Sequence, residues 1–363
     1  MGKRLIEQRR LTLMLTYRCN AQCKDCGTFS SPHDQNDISL ETALSSLENA
    51  QQCGMSQVVF TGGEATLRWD DLVSSVSYAR KLGMKSRLVT NAQWATTPEE
   101  AERRFKILRD AGLDEINYST GDEHVRFVPI DNIINAVAAS VNAEMTTALM
   151  FELRANPVVD EKDLLARIEA CAPPEKLKKY FTFLRSPWMP IKPMNKEEYP
   201  DGLYANLKNV AFRGGCDSAL GDYVVQGTGK IAACCGLGMR AIPELQLGDA
   251  VKDAETSDNP LADAVKEGEN DLFLYAVRKI GPEKILAWAA QKDPSIKWEN
   301  MYAHRCQACM RIYRDPRVKE VIAEHMEELI ADMVYGGYVL RKFEQMADQA
   351  ASPTASDNVT HYV

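Results

Sequence analysis

The first half of the chain alternates short apolar runs with amphipathic helical patterns. The apolar runs predict strands at 11–16, 57–61, 86–90, 115–119, 147–154 and 181–185. Helical periodicity predicts helices at 40–52, 70–82, 97–111, 130–142 and 161–171. Strands that alternate with helices through short turns run parallel and cross over in the right-handed sense. The pattern therefore predicts an α/β fold in which six parallel strands form a partial (β/α)6 barrel.

The pattern changes after residue 186, where four prolines within fourteen residues mark an irregular stretch. Beyond it we predict a hairpin at 223–226 and 230–233, helices within 260–291, and a long helix at about 318–346. We therefore expect a core domain at 1–186 and a smaller domain of a hairpin plus helices at 187–349. The small, polar residues 350–363 are expected to form a disordered tail.

Composition narrows the class of protein. Hydrophobic residues make up 45% of the 363, which is enough for a large core, and the net charge is −8. That charge argues against a nucleic-acid partner held by a general positive field. No apolar stretch approaches the roughly 18 residues of a membrane helix, and the apolar run at 11–16 is too short for a signal peptide. We predict a cytoplasmic protein without a membrane partner.

Chemically active residues follow the predicted strands. A cysteine loop follows the first strand, Gly62-Gly63-Glu64 follows the second, Asn91 the third, and Ser119 ends the fourth. Ligands bind beyond the carboxyl ends of parallel strands in both barrels and open sheets. We therefore expect one site there.

The cysteine loop contains Cys19, Cys23 and Cys26. Three thiolates on one short loop can bind three irons of a [4Fe–4S] cluster and leave the fourth iron open to a ligand. The alternative is a zinc site, which more often has paired CxxC groups that supply four ligands. The spacing of three then two residues favours the cluster.

The spacing C-x3-C-x2-C, the Gly-Gly-Glu and the Thr-Asn together resemble the radical S-adenosylmethionine (radical SAM) superfamily over about residues 8–185. The resemblance implies that the open iron binds S-adenosylmethionine through its amino and carboxylate groups. It implies reductive cleavage to a 5′-deoxyadenosyl radical, which removes hydrogen from a substrate C–H bond. An electron donor such as flavodoxin or ferredoxin is then a partner.

Further residues are expected to bind that cofactor. Gly62 and Gly63 allow the backbone to approach a ligand closely, and Glu64 can accept hydrogen bonds from the methionine ammonium. Asn91 matches the Thr-Asn of the family.

The resemblance extends to the loop after the fourth strand. Ser119 resembles the serine that contacts the ribose or carboxylate of the cofactor, and Arg126 is predicted to meet the methionine carboxylate. Asp25 departs from the family, which commonly has an aromatic residue near adenine at that position. The order Thr-Gly-Asp after Ser119 is a second departure, which puts a role for Asp122 in doubt.

A second group of cysteines lies in the C-terminal half. Cys216, Cys234, Cys306 and Cys309 resemble the auxiliary-cluster domain called twitch, a short form of the SPASM domain. They would supply four ligands to a second [4Fe–4S] cluster, and a structural zinc site is the alternative. Cys235 is adjacent to Cys234, and neighbouring side chains of a strand point to opposite faces. Cys235 is then either a small buried hydrophobe or a hydrogen-atom donor to a substrate radical.

Three functions remain open from sequence. The first is maturation of a ribosomally made peptide by epimerisation, crosslinking or oxidation. Because only 18 residues precede Cys19, such an enzyme would recognise a leader through another surface or a separate peptide-recognition protein. The second is oxidation or epimerisation of a small molecule such as an amino sugar or nucleoside. The third, a non-catalytic iron–sulfur protein, leaves Glu64 and Ser119 unexplained.

Overall fold

A computed structural model describes residues 9–191 and 198–335, and within them a single nine-stranded sheet runs through the molecule. The strands are β1 Arg10–Met14, β2 Gln57–Thr61, β3 Lys85–Thr90, β4 Glu115–Thr120, β5 Thr146–Glu152, β6 Phe181–Ser186, β7 Asp222–Val225, β8 Lys230–Ala232 and β9 Gln246–Asp249. Their order across the sheet is β6-β5-β4-β3-β2-β1-β7-β8-β9.

The helices agree closely with the predicted pattern in the first half. They are α1 Leu40–Gln52, α2 Trp69–Lys81, α3 Pro98–Ala111, α4 Ile130–Asn142, α5 Glu161–Cys171, α6 Pro174–Tyr180, α7 Gly238–Ala241, α8 Pro260–Asn270, α9 Leu272–Lys279, α10 Pro282–Lys292, α11 Arg305–Arg314 and α12 Pro316–Glu324. Among the described residues, no helix is both long enough and apolar enough to cross a membrane.

The six strands β1 to β6 are parallel and consecutive, and the sheet does not close on itself. The side chains that point to the outer face are apolar and pack beneath the helices; Leu11, Phe60 and Leu88 are examples with no exposed surface. Alternate positions such as Val59 and Arg87 are half-buried on the inner face. This unclosed α/β arrangement confirms the predicted partial barrel, and its inner face forms a concave wall.

The predicted C-terminal hairpin is present as β7 and β8, but it does not form a sheet of its own. β7 pairs in parallel with β1, from Arg10 opposite Asp222 to Leu13 opposite Val225, and β8 and β9 add antiparallel strands beyond it. The proposed boundary at residue 186 therefore falls inside a molecule whose sheet is continuous. Whether the two parts fold independently stays a prediction.

Two features of the C-terminal half differ from the predicted pattern. Cys306 and Cys309 lie within a helix that was not predicted, α11, where the side chain of His304 accepts from the amide of Cys306. The long helix expected at 318–346 is interrupted at His325, where φ is −118° and ψ is 20°, and helical residues resume at 326–335. The rest of that helix and the predicted tail at 350–363 lie outside the described residues.

Candidate functional site

The loop between β1 and α1 holds the first three cysteines at the carboxyl edge of the sheet. The amide of Cys19 donates to the carbonyl of Ser31 over 3.1 Å, which closes the loop on itself. Cys19 is buried, and Cys23 and Cys26 are half-buried. The structure therefore brings the three predicted ligands to one side of a closed loop.

Gly62 and Gly63 pack directly on this loop, and their predicted approach to the cofactor stays a prediction. A Cβ atom on Gly62 would lie 2.4 Å from the carbonyl oxygen of Thr16, and one on Gly63 would lie 2.2 Å from that of Arg18. The amide of Gly63 donates to the Thr16 carbonyl over 2.8 Å. Glycine is needed at both positions because the loop backbone occupies the space that a side chain would take.

Glu64 is almost fully buried and ties together the ends of two strands. Its Oε1 accepts from the hydroxyls of Thr66 and Thr90 over 2.6 and 2.8 Å, and its Oε2 accepts from the amide of Asn91 over 2.8 Å. Burial raises the pKa of Glu64, while these hydrogen bonds act in the opposite direction. A carboxylate oxygen can accept about two hydrogen bonds, so Oε2 has capacity for one further donor.

Asn91 connects this carboxylate to the first cysteine. Its side-chain amide lies 3.8 Å from the sulfur of Cys19 and donates to Asn20 over 2.9 Å. The next residue, Ala92, is buried in a left-handed conformation with φ of 59°. The turn after β3 is therefore shaped to aim Asn91 at the cysteine loop.

The three thiols influence one another electrostatically. Burial, followed by the neighbouring Glu64, raises the pKa of Cys19 to about 12, and burial and the other two thiols raise the pKa of Cys23. Among the described residues, no three His, Cys, Asp or Glu side chains converge tightly enough for a single metal ion. A [4Fe–4S] cluster binds each cysteine through a different iron, so it does not need such convergence.

Ser119 lies near the end of β4 and faces a buried histidine. Its hydroxyl lies 3.4 Å from Nε2 of His124, whose ring packs edge-on against Trp188 with centroids 4.6 Å apart. Burial lowers the pKa of His124 to about 4, so its ring is neutral. Nδ1 of His124 and Nε1 of Trp188 are buried without any hydrogen-bond partner in the described residues.

Asp25 belongs to a charged cluster that sequence reasoning missed. Its Oδ1 accepts from the amide of Ile191 over 3.4 Å, and its Oδ2 lies 4.0 Å from Nη2 of Arg154. Arg154 also pairs with the buried Glu152 at the end of β5 and lies over the ring of Tyr199. The aromatic residue that the family commonly has at this position is replaced here by one end of an ion-pair network.

Arg126 is exposed and does not contact the cysteines. Its guanidinium pairs with Glu123 over 2.9 Å, and Glu123 also accepts from the amide of Lys24 in the cysteine loop over 2.8 Å. Asp122 caps the loop before α5 by accepting from the amides of Val158 and Val159. A cavity of about 460 Å³ lies here, lined by Lys24, Asp122, Glu123, Val125, Arg126, Arg154, Asn156, Val158 and Glu198.

The second group of cysteines also comes together. Cys306 and Cys309 share one face of α11, and burial, followed by the nearby thiols of this group, raises the pKa of both Cys234 and Cys309. Cys216 is close enough to contribute to each of these shifts. A Cβ atom on Gly236 would lie 2.6 Å from the sulfur of Cys306 and 3.7 Å from that of Cys234. Along the sequence, Cys216 and Cys309 are ninety-three positions apart, so it is the fold that brings these cysteines near one another.

Cys235 points away from that group. Its thiol lies 3.1 Å from the hydroxyl of Ser218 and 3.4 Å from Oδ2 of Asp222, whose other oxygen pairs with Arg10. Burial, followed by the Asp222 carboxylate, raises the pKa of Cys235 well above its usual range, so the sulfur keeps its hydrogen. Cys234 and Cys235 therefore face opposite sides of the chain, as predicted.

Comparison with known families identifies one part of the chain. Residues 13–135 match the model of the radical SAM superfamily. This part of the chain is a radical SAM domain. The match runs from β1 into α4, so it includes Cys19, Cys23, Cys26, Glu64 and Ser119.

Solved structures with a similar fold extend beyond the radical SAM domain. Native anSMEcpe with bound AdoMet is 13% identical with a TM-score of 0.53, and the alignment covers 89% of this chain and 99% of that one. The same protein with bound AdoMet and the Cp18Cys peptide is 13% identical with a TM-score of 0.52, covering 90% and 99%. Streptococcus suis SuiB bound to precursor peptide SuiA is 16% identical with a TM-score of 0.42, covering 75% and 66%. The similarity in fold to anSMEcpe thus extends well beyond residues 13–135.

Proposed function

We propose that this radical SAM enzyme binds a [4Fe–4S] cluster through Cys19, Cys23 and Cys26 and S-adenosylmethionine beside it, and that it acts on a peptide. The observation that carries the cofactor assignment is the juxtaposition of three thiols with buried polar groups at one edge of the sheet. Asn91 lies against the Cys19 sulfur, and Glu64 retains an acceptor site beside it.

The donor set fits the cluster. Burial raises the pKa values of Cys19 and Cys23, so these neighbouring thiols are unfavourable as free thiolates, and metal binding is the usual way in which buried thiols become deprotonated. The amides of Ala21 and Ser30 each lie 3.4 Å from a cysteine sulfur, at Cys19 and Cys26. Such N–H groups stabilise sulfur that carries negative charge.

The surroundings also fit a polar ligand such as S-adenosylmethionine. His124 Nδ1 and Trp188 Nε1 are buried without a hydrogen-bond partner in the part of the chain that the structure describes, and Asp25 Oδ2 is buried with Arg154 Nη2 4.0 Å away. A buried polar group without a partner costs about 1–3 kcal/mol, which a bound ligand can recover. We infer that these atoms, together with Ser119 and Glu64, face the bound cofactor, with Gly62 and Gly63 holding the loop in place. Arg126 stays a predicted contact of the methionine carboxylate. Its side chain is exposed and pairs with Glu123, so this contact would require the side chain to move.

A reduced [4Fe–4S] cluster held by Cys19, Cys23 and Cys26 would supply the electron for reductive cleavage of S-adenosylmethionine, and so the means to remove a hydrogen atom from a substrate C–H bond. The protein's own residues bind and orient the reactants and exclude water. The inner wall of the unclosed barrel begins at this site and extends towards the opposite edge of the sheet.

For the second group we propose an auxiliary [4Fe–4S] cluster held by Cys216, Cys234, Cys306 and Cys309. The proximity of four thiols from three separate segments, two of them buried and two half-buried, supports four-fold ligation. Zinc remains the chemical alternative, because it accepts the same four thiolates.

A peptide substrate is supported by two features. The anSMEcpe fold, to which this chain is similar over 90% of its length, has been solved with a bound peptide. The sheet is open beyond β6, whose Leu184 is 40% exposed, so an extended chain has access to the inner wall. A role of Cys235 as hydrogen-atom donor to such a peptide stays a proposal, since Cys235 packs against the buried cluster of Met14, Tyr17, Val224, Ala232 and Met239.

The test of the cofactor assignment uses anaerobically reconstituted protein with a strong reductant and S-adenosylmethionine. Wild type is expected to form 5′-deoxyadenosine, and a chain with Cys19, Cys23 and Cys26 all replaced by alanine is expected to form none. A chain with Cys53→Ala and Cys171→Ala is the matched control, since neither cysteine belongs to the two groups. Continued cleavage by the triple variant would overturn the assignment.

The substrate class is tested with candidate peptides and small molecules in deuterated water, read by mass spectrometry. A loss of two mass units indicates oxidation or crosslinking, and a gain of one deuterium indicates epimerisation with an exchangeable donor. Turnover of an amino sugar or nucleoside but of no peptide would replace the peptide proposal with the small-molecule one.

A further inference from the structure

One short segment touches both groups of cysteines. Directly after Cys234, the amide of Gly236 lies 3.2 Å from the Cys234 sulfur, and the amide of Leu237 donates to the sulfur of Cys306. The segment then forms α7, whose last carbonyl, at Ala241, accepts from Arg314 at the end of α11. The position of α7 is therefore fixed by the second group of cysteines and by the helix that carries two of them.

Arg240 projects from α7 to the opposite group. Its Nη1 donates to the carbonyls of Thr28 and Phe29 over 3.4 and 3.0 Å, and its Nη2 pairs with Asp34 over 2.9 Å. The guanidinium also lies over the ring of Tyr17, 4.1 Å from the centroid. All four partners belong to the loop that carries Cys19, Cys23 and Cys26.

The part of that loop held by Arg240 is the part that touches a cysteine sulfur. The hydroxyl of Thr28 lies 3.3 Å from the sulfur of Cys26, and the amide of Ser30 lies 3.4 Å from it. Between them, the backbone of Phe29 adopts a left-handed conformation with φ of 54°, which residues other than glycine rarely adopt. Such a turn persists only when the surroundings hold it, and the fork of Arg240 on two successive carbonyls does so.

We propose that Arg240 is a positioning residue that couples the two cysteine sites, so that occupancy of the second sets the environment of the first. The proposal rests on the proposed function, in which both groups bind clusters. A change at Cys234 or Cys306 moves the segment that holds α7, and Arg240 transmits this to the N–H and O–H groups around the Cys26 sulfur. Hydrogen bonds to the sulfurs are among the determinants of the potential of a cluster.

The test is a double-mutant cycle on the midpoint potential and the electron paramagnetic resonance spectrum of the first cluster. One change is Arg240→Gln, and the other is Cys306→Ala with Cys309→Ala, which empties the second site. In the wild-type background, emptying the second site is expected to shift the potential and the spectrum of the first cluster. In the Arg240→Gln background the same change is expected to produce no further shift.

Two further variants separate positioning from charge. Arg240→Lys keeps a positive charge near Asp34 but loses the planar fork, so it is expected to behave like Arg240→Gln in the cycle. If lysine restores the coupling, the effect is one of charge and the positioning role is wrong. Arg305→Gln is the control, since Arg305 donates to the carbonyl of Gly215 beside Cys216 and makes no contact with the first loop. It is expected to leave the coupling intact.

Iron content distinguishes failure of this proposal from failure of the proposed function. Shifts that add independently in chains retaining the first cluster would overturn the coupling while leaving the function in place. A wild type that binds no iron at the first site would overturn the function itself. If the double cysteine variant is insoluble, the same cycle is measured with Cys306→Ser. This single change replaces one thiol ligand of the second site with a side chain of similar size.

Discussion

At the residue scale, we expect Glu64 both to hold two strand ends together and to bind the cofactor, and these two roles can be tested separately. Glu64→Gln keeps the shape but removes the charge that would face the methionine ammonium. Losing a charge-assisted hydrogen bond costs about 1.5–3 kcal/mol, or one to two powers of ten in affinity. We therefore expect the dissociation constant for S-adenosylmethionine, measured by equilibrium binding to the reconstituted protein, to rise by about ten- to a hundredfold.

A matched variant isolates the structural part. Thr66→Val removes one hydroxyl donor to Glu64 Oε1 and leaves the carboxylate in place. It is expected to lower the melting temperature while changing cofactor affinity much less than Glu64→Gln does. Equal losses of affinity in the two variants would show that Glu64 only holds the strands together.

His124 gives a prediction on pH. Because burial lowers its pKa to about 4 in the folded chain, against about 6.5 when unfolded, the unfolded state binds the proton more readily between these values. The neutral ring therefore stabilises the fold above pH 6.5, and this contribution is lost as the pH falls towards 4. From pH 7.5 to 5.5 the loss amounts to about 1.5 kcal/mol.

Urea unfolding at both pH values measures that loss. His124→Gln is expected to lose about 1.5 kcal/mol less stability than wild type over this range. The pKa of His304 is also lowered to about 4 by burial, so His304→Gln serves as a comparison at the second site. An identical pH dependence in wild type and His124→Gln would mean that the ring titrates normally.

At the level of single residues, the sequence predicted the cysteines that would bind the cluster but not the side chains around them. The spacing of Cys19, Cys23 and Cys26 marked the loop, because the chemistry depends on neighbours along the chain. The pairing of Asp25 with Arg154 was not foreseeable, because those residues are 129 positions apart and neither has a local motif. The packing of Gly62 and Gly63 on the cysteine loop was not foreseeable either, since only the fold shows which backbone lies against them.

At the element scale, periodicity predicted the first and last residues of α1 and β2 correctly. Both elements have a regular pattern of apolar positions and clear boundaries. It failed at α11, where the N-cap is a histidine rather than the usual Ser, Thr, Asp or Asn. It also missed β9, a short strand that forms because β8 offers it an edge. Elements stabilised by tertiary pairing leave a weak signal in the sequence.

The chain after β8 places its two adjacent cysteines on opposite sides, which makes their roles separable. Reconstituted wild type is expected to hold about eight irons, from two four-iron sites. Cys234→Ala is expected to hold about half as many, and Cys235→Ser the full number. Iron and zinc analysis of the three proteins checks this, and four irons with one zinc in wild type would indicate a structural zinc site instead.

The same serine variant tests the donor role. The S–H bond is weak enough to donate a hydrogen atom to a carbon radical, whereas the O–H bond of serine is much stronger. If Cys235 is the donor, Cys235→Ser keeps cofactor cleavage but stops incorporating deuterium into the product. Unchanged deuterium incorporation would leave Cys235 as a small buried side chain near Asp222 and Ser218.

At the scale of the whole molecule, the continuous sheet argues against a separable core. β7 covers the edge of β1, the amide of Arg10 donates to the carbonyl of Gly221 over 2.8 Å, and the hydroxyl of Tyr17 donates to Gln226 over 2.6 Å. A chain ending at residue 186 would expose the edge of β1 and the apolar residues beside it, which favours aggregation. The sequence boundary reflects a change of pattern rather than a break in packing.

We therefore expect the chain 1–186 to be insoluble or to unfold without a cooperative transition, even when supplied with iron and sulfide. The chain 1–349, which lacks only the predicted tail, is the control and is expected to retain the melting temperature and iron content of the full chain. Circular dichroism melts and size-exclusion chromatography compare the three proteins. A soluble, monomeric 1–186 with a sharp transition would contradict the expectation. It would show that β1 tolerates a free edge and that the first cysteine loop folds without Arg240, so the same experiment also bears on whether the two sites are coupled.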